Sequence, residues 1–369
     1  MKSVTYIFIR NRKKNYENNN IEAREFYYGL TSIDKNKYKV NVIELHNSNT
    51  LFSKVLSIMD KFLNRFLSLP FNMGKLLTFK NLKTLLKTDN LILVTETIGC
   101  SAIPFLIILK LFKKVKVSLF VMGLYSKKQR YPIFRFLHNL IIRLLIVLLD
   151  NVLFLGKEEL NIAKSFHSDN KKLIYFPFCI DTDFWKNKNS YDTKKKKIIF
   201  VGNDGNKDYE FVLKLAKELK EIDFLVVSKN VLFNETKIDN LEIIDGEWGS
   251  KGLSDSGLRE KYLNSSLTII PLKESFQPSG QSVALQSMSL GIPVMITKTK
   301  GFWDLDSFID NRHLFFVDKN DINEWAKKIR TLLTKEERMA NISSEGKKLI
   351  LEEYNLKVFS NNLNKIING

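Results

Sequence analysis

A chain of 369 residues with 44% apolar and 27% charged side chains, and only 16 glycines and 7 prolines, is globular and too long for one ordinary core. Its net charge of +18 is unevenly placed: residues 1–200 hold 35 basic and 15 acidic side chains, whereas the remainder hold 23 and 25. Two cysteines, Cys100 and Cys179, build no disulfide framework and no zinc spacing is present, which fits a reducing cytoplasmic setting.

The predicted elements alternate from the start. A strand over 4–9 is followed by a polar loop to residue 20 and a helix over 21–30. A strand over 38–45, a helix over 51–66, strands over 91–95 and 115–121 and an intervening helix over 102–112 come next. A long helix over 133–149 precedes a strand over 151–155, a helix over 157–166 and a strand over 172–175. After a polar linker ending in Lys194–Lys197 the alternation restarts, with strands over 198–201, 224–227, 241–244, 267–270, 294–296 and 314–316. Helices over 209–219, 282–290, 322–333 and 336–353 complete the second half. Such alternation predicts two α/β domains, each a doubly wound parallel sheet, facing a cleft at the carboxyl ends of their strands. The opening apolar run is too short for a signal peptide, and no uncharged apolar run approaches the roughly 18–20 residues that span a bilayer.

Chemistry concentrates in the second half. In the stretch from Pro278 to Ile296, Ser279 and Gly280 stand before a helix start, where unpaired amides and the helix dipole attract anions and glycine admits a diphosphate. Gln281 and Ser282 open that helix, and Gln286 falls one or two turns in, spaced to bond sugar or ribose hydroxyls. The same residues also read as a self-capped helix. After the strand ending at Val201, Gly202-Asn-Asp-Gly-Asn-Lys-Asp offers Gly202, Asn203 and Lys207 to a phosphate, although it lacks a dinucleotide fingerprint and also reads as an ordinary turn. Asp181 and Asp183 form a DxD pair without the strand context of a metal site. His46, His138, His167 and His313 have no metal spacing. Neither a GxSxG elbow nor a P-loop occurs, so hydrolase and NTPase chemistry lose their main supports.

The basic excess lies in the first half. Lys113, Lys114, Lys127, Lys128 and Arg130 read as contacts for an anionic membrane surface or acceptor. Helix 133–149 is apolar nearly all round except for a stripe of Arg135, Asn139 and Arg143; it reads as a core helix, or with the nearby basic residues as a face docked against an anionic membrane surface. No basic–aromatic motif points to nucleic acid.

The order of these motifs resembles the GT-B-fold glycosyltransferases, and among them the retaining family 4. Asn151-Val-Leu-Phe-Leu-Gly is similar to the segment before that family's linker. Pro177-Phe-Cys-Ile-Asp-Thr-Asp-Phe resembles its proline–glycine–valine–aspartate–phenylalanine segment, which makes Asp181 and Asp183 a structural hinge. The loop with Lys207 resembles the donor-phosphate loop, with Asn203 where the family has arginine. The stretch from Pro278 to Val294 resembles the donor-binding glutamate motif, with Pro278 and Gln286 at the two glutamate positions. Met122 stands where many members have histidine, so no catalytic residue is assigned.

The resemblance implies an acceptor-side Rossmann-like domain over 1–183, a linker over 184–197, a nucleotide-sugar domain over 198–354, and a helix over 355–369 returning to the first domain. It implies sugar transfer from a nucleotide-sugar donor, with retention and with neither metal nor cofactor, to a glycan or lipid-linked acceptor. The setting expected is cytoplasmic, at the inner membrane face, in cell-surface polysaccharide or glycolipid synthesis. Two other readings stay open: a nucleotide-sugar epimerase, and a non-catalytic GT-B-fold protein that binds membrane or polyanion through its basic half.

Overall fold

The computed structural model of the chain describes every residue except 10, 128, 130, 168–169, 188, 190, 192–196, 231–237, 248–252 and 369. It divides into two compact units. Met1–Ile21, Tyr27–Pro177 and Ser360–Gly369 form the first, and Glu22–Phe26 with Phe178–Phe359 the second.

The first unit is a six-stranded sheet of β1 (Lys2–Phe8), β2 (Tyr38–Glu44), β3 (Asn90–Leu93), β4 (Lys116–Val121), β5 (Asn151–Phe154) and β6 (Leu173–Tyr175). All pairs are parallel, in the order β2-β1-β3-β4-β5-β6, so the winding reverses between β1 and β3. Residues 91–93 and 117–121 are buried without interruption, as strands covered on both faces require, while the edge strand β2 is buried only in part. Helices α1 (Arg12–Glu17), α2 (Leu51–Leu67), α3 (Met73–Leu76), α4 (Phe79–Leu85), α5 (Glu96–Phe112), α6 (Arg135–Leu148) and α7 (Lys157–Phe166) complete the unit. Buried Asp60 on α2 joins α2 to α3 by accepting from the amides of Met73 at 2.9 Å and Gly74 at 3.0 Å.

The helix expected over 21–30 is absent, and only short 3₁₀ turns form at Glu25–Tyr27 and Leu30–Ser32. Tyr28 at φ 49° and Gly29 at φ 79° take the left-handed region, which an α-helix cannot pass through. Helix α5 starts six residues earlier than expected because Thr95 caps it, accepting from the amide of Ile98 at 3.4 Å. Helix α6 departs from the core reading too. His138, Ile142, Leu145, Ile146 and Leu148 are buried, but Phe136, Leu140 and Val147 face solvent.

The second unit repeats the plan with β7 (Lys197–Val201), β8 (Asp223–Val227), β9 (Leu241–Ile244), β10 (Leu267–Ile270), β11 (Val294–Thr297) and β12 (Phe315–Val317). These strands are parallel in the order β12-β11-β10-β7-β8-β9, and the winding reverses between β7 and β10. Its helices are α8 (Tyr209–Glu218), α9 (Asp255–Leu263), α10 (Gln281–Ser289), α11 (Ile322–Leu333) and α12 (Glu336–Glu353). Phe200, Phe224 and Val226 of the sheet bury against Phe211, Leu215, Trp325 and Ile329 of α8 and α11. The ring of Trp325 meets Phe211 edge-on at 5.4 Å and its Nε1 donates to the carbonyl of Lys319 at 3.0 Å, so the indole is packed and satisfied. A last helix, α13 (Leu356–Asn368), begins among residues of the second unit and ends among those of the first.

Candidate functional site

In an open parallel sheet the loops leaving the carboxyl ends of two strands part at the point where the winding reverses, and the crevice between them is the usual ligand site. In the second unit that point lies between β7 and β10. The loop after β7 carries Gly202, Asn203 and Lys207, and the loop after β10 carries Ser279 and Gly280. Asn206 ties the two together: its Nδ2 donates to Gln277 Oε1 at 3.0 Å and to Ser279 Oγ at 2.8 Å. The backbone adds bonds from the Lys273 amide to the Asn206 carbonyl at 2.7 Å and from the Asp208 amide to the Pro271 carbonyl at 3.0 Å. The loop residues named for phosphate contact are therefore adjacent in space.

Lys207 is buried and lies across Gly202, where an added Cβ would fall 1.9 Å from the lysine Cδ. Its Nζ meets Asp204 Oδ2 at 2.6 Å, so this cation is held in place by a half-exposed carboxylate. Gly280 precedes α10 at φ 77°, and its Cα lies so close to Ile270 that a Cβ would fall 2.7 Å from Ile270 Cγ2. Both the backbone angle and the close approach require glycine. No side chain caps α10, and Ser279, Gln281 and half-buried Ser282 surround its positive end. Together the α10 terminus and Lys207 offer fixed dipoles and one cation to an anion with more than one phosphate.

Two of the residues named with them have other work. Asn203 Nδ2 donates to the Gly246 carbonyl at 2.6 Å and its Oδ1 accepts from the Lys229 amide at 2.8 Å, so its amide joins β7 to the ends of β8 and β9. Gln286 is buried, with Nε2 donating to Glu25 Oε1 at 2.9 Å. Glu25 also accepts from Trp185 Nε1 at 2.7 Å, and burial pushes its carboxyl up to about 7 against the pull of these bonds. One residue earlier, Arg24 holds Asp181 through Nε at 2.5 Å and Nη2 at 2.6 Å, and Asp183 through Nη2 at 2.9 Å. The DxD carboxylates thus face a guanidinium. Asn206, Arg24 and Glu25 were not singled out by motif. Asn206 sits within the glycine-bearing loop after β7, but Arg24 and Glu25 lie more than 150 residues from their partners and carry no local signal.

The basic residues named for the first unit are not brought together. Lys113 precedes β4 and pairs with Asp89 at 3.1 Å. Lys114 lies with Lys2 and Lys116 at the amino ends of β1 and β4. Lys127 follows β4, roughly 20 Å along the strand, and pairs with Glu96 at 3.7 Å. Lys128 and Arg130 lie outside the described residues.

Residues 181–349, just under half of the chain, match the model of the family described as glycosyl transferases group 1. No curated protein matches the chain. Among solved structures, sucrose-phosphate synthase from Thermosynechococcus elongatus is 12% identical, covering 100% of this chain and 98% of that one at a TM-score of 0.71. The HepE protein of Anabaena, solved in complex with UDP and glucose, is 10% identical over 100% of both chains at a TM-score of 0.66. TarM of S. aureus is 14% identical over 81% of this chain, at a TM-score of 0.61, and this chain spans 58% of its length. With two parallel α/β units of this kind, the chain has the GT-B fold.

Proposed function

We propose that this protein is a glycosyltransferase that binds a nucleotide-sugar between the loops after β7 and β10 and passes the sugar to a glycan or lipid-linked acceptor. We further propose that it is a retaining enzyme of family 4 type, independent of metal, acting at the cytoplasmic face of a membrane in polysaccharide or glycolipid synthesis. One observation carries the reading. Lys207, Gly202 and the uncapped start of α10 at Gly280 converge where the winding of the second sheet reverses.

The chemistry follows from charge. As the bond from sugar to phosphate breaks, negative charge grows on the departing diphosphate. Oriented dipoles at the α10 terminus and the fixed ammonium of Lys207 stabilise that charge without the reorganisation that water would need. Retention can then proceed with the donor's own phosphate oxygen as base on the face the acceptor approaches. Asp181 and Asp183, already engaged by Arg24, favour an ion-pair role over metal ligation. HepE, which shares the fold, was solved with UDP and glucose, and a uridine donor is the first to test.

The test is calorimetry of the full chain with UDP, GDP and ADP, followed by analysis of the product's anomeric configuration. Micromolar binding of one nucleotide, retained configuration and turnover that persists in excess chelator are expected. Binding of none, or turnover lost on chelation and restored by manganese, overturns the corresponding part of the proposal.

A further inference from the structure

Helix α2 carries two apolar faces. Leu56 and Leu67 are buried with Ser53 and Asp60, but Phe52 is 62% exposed, Ile58 68% and Phe62 58%. With Leu51, Val55 and Met59, all exposed, these recur at spacings of three and four and form one stripe along the outer side of the helix. Lys54, Lys61 and Arg65, also exposed, run along one flank of it. Helix α6 repeats the pattern: Phe136 at 78% and Val147 at 72% exposure lie with Leu140 and Leu144 on an apolar face flanked by Arg135, Asn139 and Arg143. The two stripes meet through aromatic rings. Phe66 lies 4.4 Å from Phe62 and 5.3 Å from Phe134, the residue before α6. An apolar surface with basic borders matches a bilayer interface in both polarity and charge.

The basic border of α6 also lines a cavity of about 580 Å³. Lys127, Gln129, Arg135, Asn139, Arg143 and His167 face it, on the carboxyl side of β4. Neither the Arg135 nor the Arg143 side chain makes an ion pair or hydrogen bond among the described residues. Gln129 is held through Oε1, which accepts from the Tyr131 amide and from Ser68 Oγ, both at 3.1 Å, while its buried Nε2 has no partner among the described residues. A buried donor without an acceptor costs about 1–3 kcal/mol unless something fills the place. His167 bonds Tyr125 at 2.6 Å, and burial, then Arg143, lowers its proton affinity, so it stands neutral among cations. Two unpaired guanidiniums, a lysine and a spare amide donor describe a receptor for a compact dianion.

We infer that the cavity binds the phosphate headgroup of a membrane amphiphile while the outer faces of α2 and α6 sit in the bilayer interface. The two halves of the inference support each other: the apolar faces bring the protein to the surface where such headgroups are, and the cavity opens beside α6. As a site for the acceptor this rests on the transferase proposal, but lipid binding itself does not need it.

The experiment is sedimentation of the full chain with phosphatidylcholine vesicles, with or without phosphatidic acid, and with phosphatidylglycerol as a singly charged diester, at amounts matched in total surface charge. Binding strongest to phosphatidic acid is expected. The Arg135→Gln/Arg143→Gln variant is expected to lose about tenfold per arginine, roughly a hundredfold in all, with unchanged melting temperature. Phe52→Ser/Phe62→Ser is expected to weaken binding to every vesicle, because it removes insertion and leaves the cavity intact. Equal binding to all three vesicles, or arginine variants that bind like the parent, would overturn the inference. Arginine-dependent binding of inorganic pyrophosphate without any vesicle binding would assign the cavity to a soluble phosphate and overturn it equally. UDP calorimetry on the same samples separates the two proposals, since lost nucleotide binding with vesicle binding intact counts against the transferase reading alone.

Discussion

Gly202→Ala tests whether Lys207 is the cation of the donor site. The amide of Gly202 bonds the Val227 carbonyl at 3.0 Å, so the backbone there is fixed at the end of β7. An alanine Cβ would fall 1.9 Å from Cδ, 2.3 Å from Cε and 2.9 Å from Nζ of Lys207, all far inside van der Waals contact. The backbone cannot yield, so the lysine must swing away and give up Asp204. Overpacking of this kind costs about 1–3 kcal/mol of stability. The loss of one charge-assisted bond to the diphosphate costs about 1.5–3 kcal/mol, or roughly 10- to 150-fold in Kd. Calorimetry with the nucleotide that binds and a thermal melt read the two effects separately. Lys207→Ala should lose the same affinity alone. The double variant should lose no more than either single one and should melt above Gly202→Ala, because the clash is gone. Additive losses in affinity, or parental affinity in Gly202→Ala, would refute the argument.

Three more outcomes follow. Asn206→Ala removes both side-chain bonds between the loops, about 1 kcal/mol each, and should weaken nucleotide binding several-fold; unchanged binding would show that the loops hold their places without them. Asp181→Ala leaves Arg24 without its main partner and should destabilise by about 1–3 kcal/mol, the usual loss discounted for a guanidinium that is 41% exposed; a variant as stable as the parent in urea would remove the hinge role. Glu25 stays protonated in the fold up to about pH 7, whereas the unfolded carboxyl ionises near pH 4.5. Its stabilising share is full below pH 4.5 and lost as pH rises through 7. Glu25→Gln, which cannot ionise, should therefore gain melting temperature relative to the parent on going from pH 5 to pH 8, and a constant difference would refute the shift.

The strands and most helices were legible because central parallel strands are apolar runs and helices repeat every three to four residues, whereas the order of the strands in each sheet came only with the fold. Short α3 and α4 carry too few turns for a periodic signal, and α9 buries only Leu258 and Tyr262 along a polar stretch. The segment over 21–30 read as helix because its residues tolerate one. What decides it is two left-handed residues, Tyr28 and Gly29, and partners for Arg24 and Glu25 found only after folding. The two loops at the reversal of the second sheet's winding were legible by their glycines. The employment of Asn203 and Gln286 in structural bonds was not, since a side-chain amide looks the same in sequence whether it binds a ligand or a neighbouring strand. The stripe on α6 was visible, but only the fold shows that His167 and Gln129 close a cavity around it.

The five residues Glu22–Phe26 count with a unit whose other members begin at Phe178. The ribosome releases Arg24 and Glu25 long before it releases Asp181, Trp185 or Gln286, so the second unit cannot complete its interior until the chain is nearly finished. Cutting the gene between the units would separate these groups. A fragment starting at Phe178 would bury Trp185 Nε1 and Gln286 Nε2 with no acceptor and leave the inner carboxylate of Asp181 without its guanidinium. Each orphaned group costs about 1–3 kcal/mol, a sum comparable to the whole stability of a domain. A second unit expressed by itself would therefore need the segment Glu22–Phe26 supplied with it.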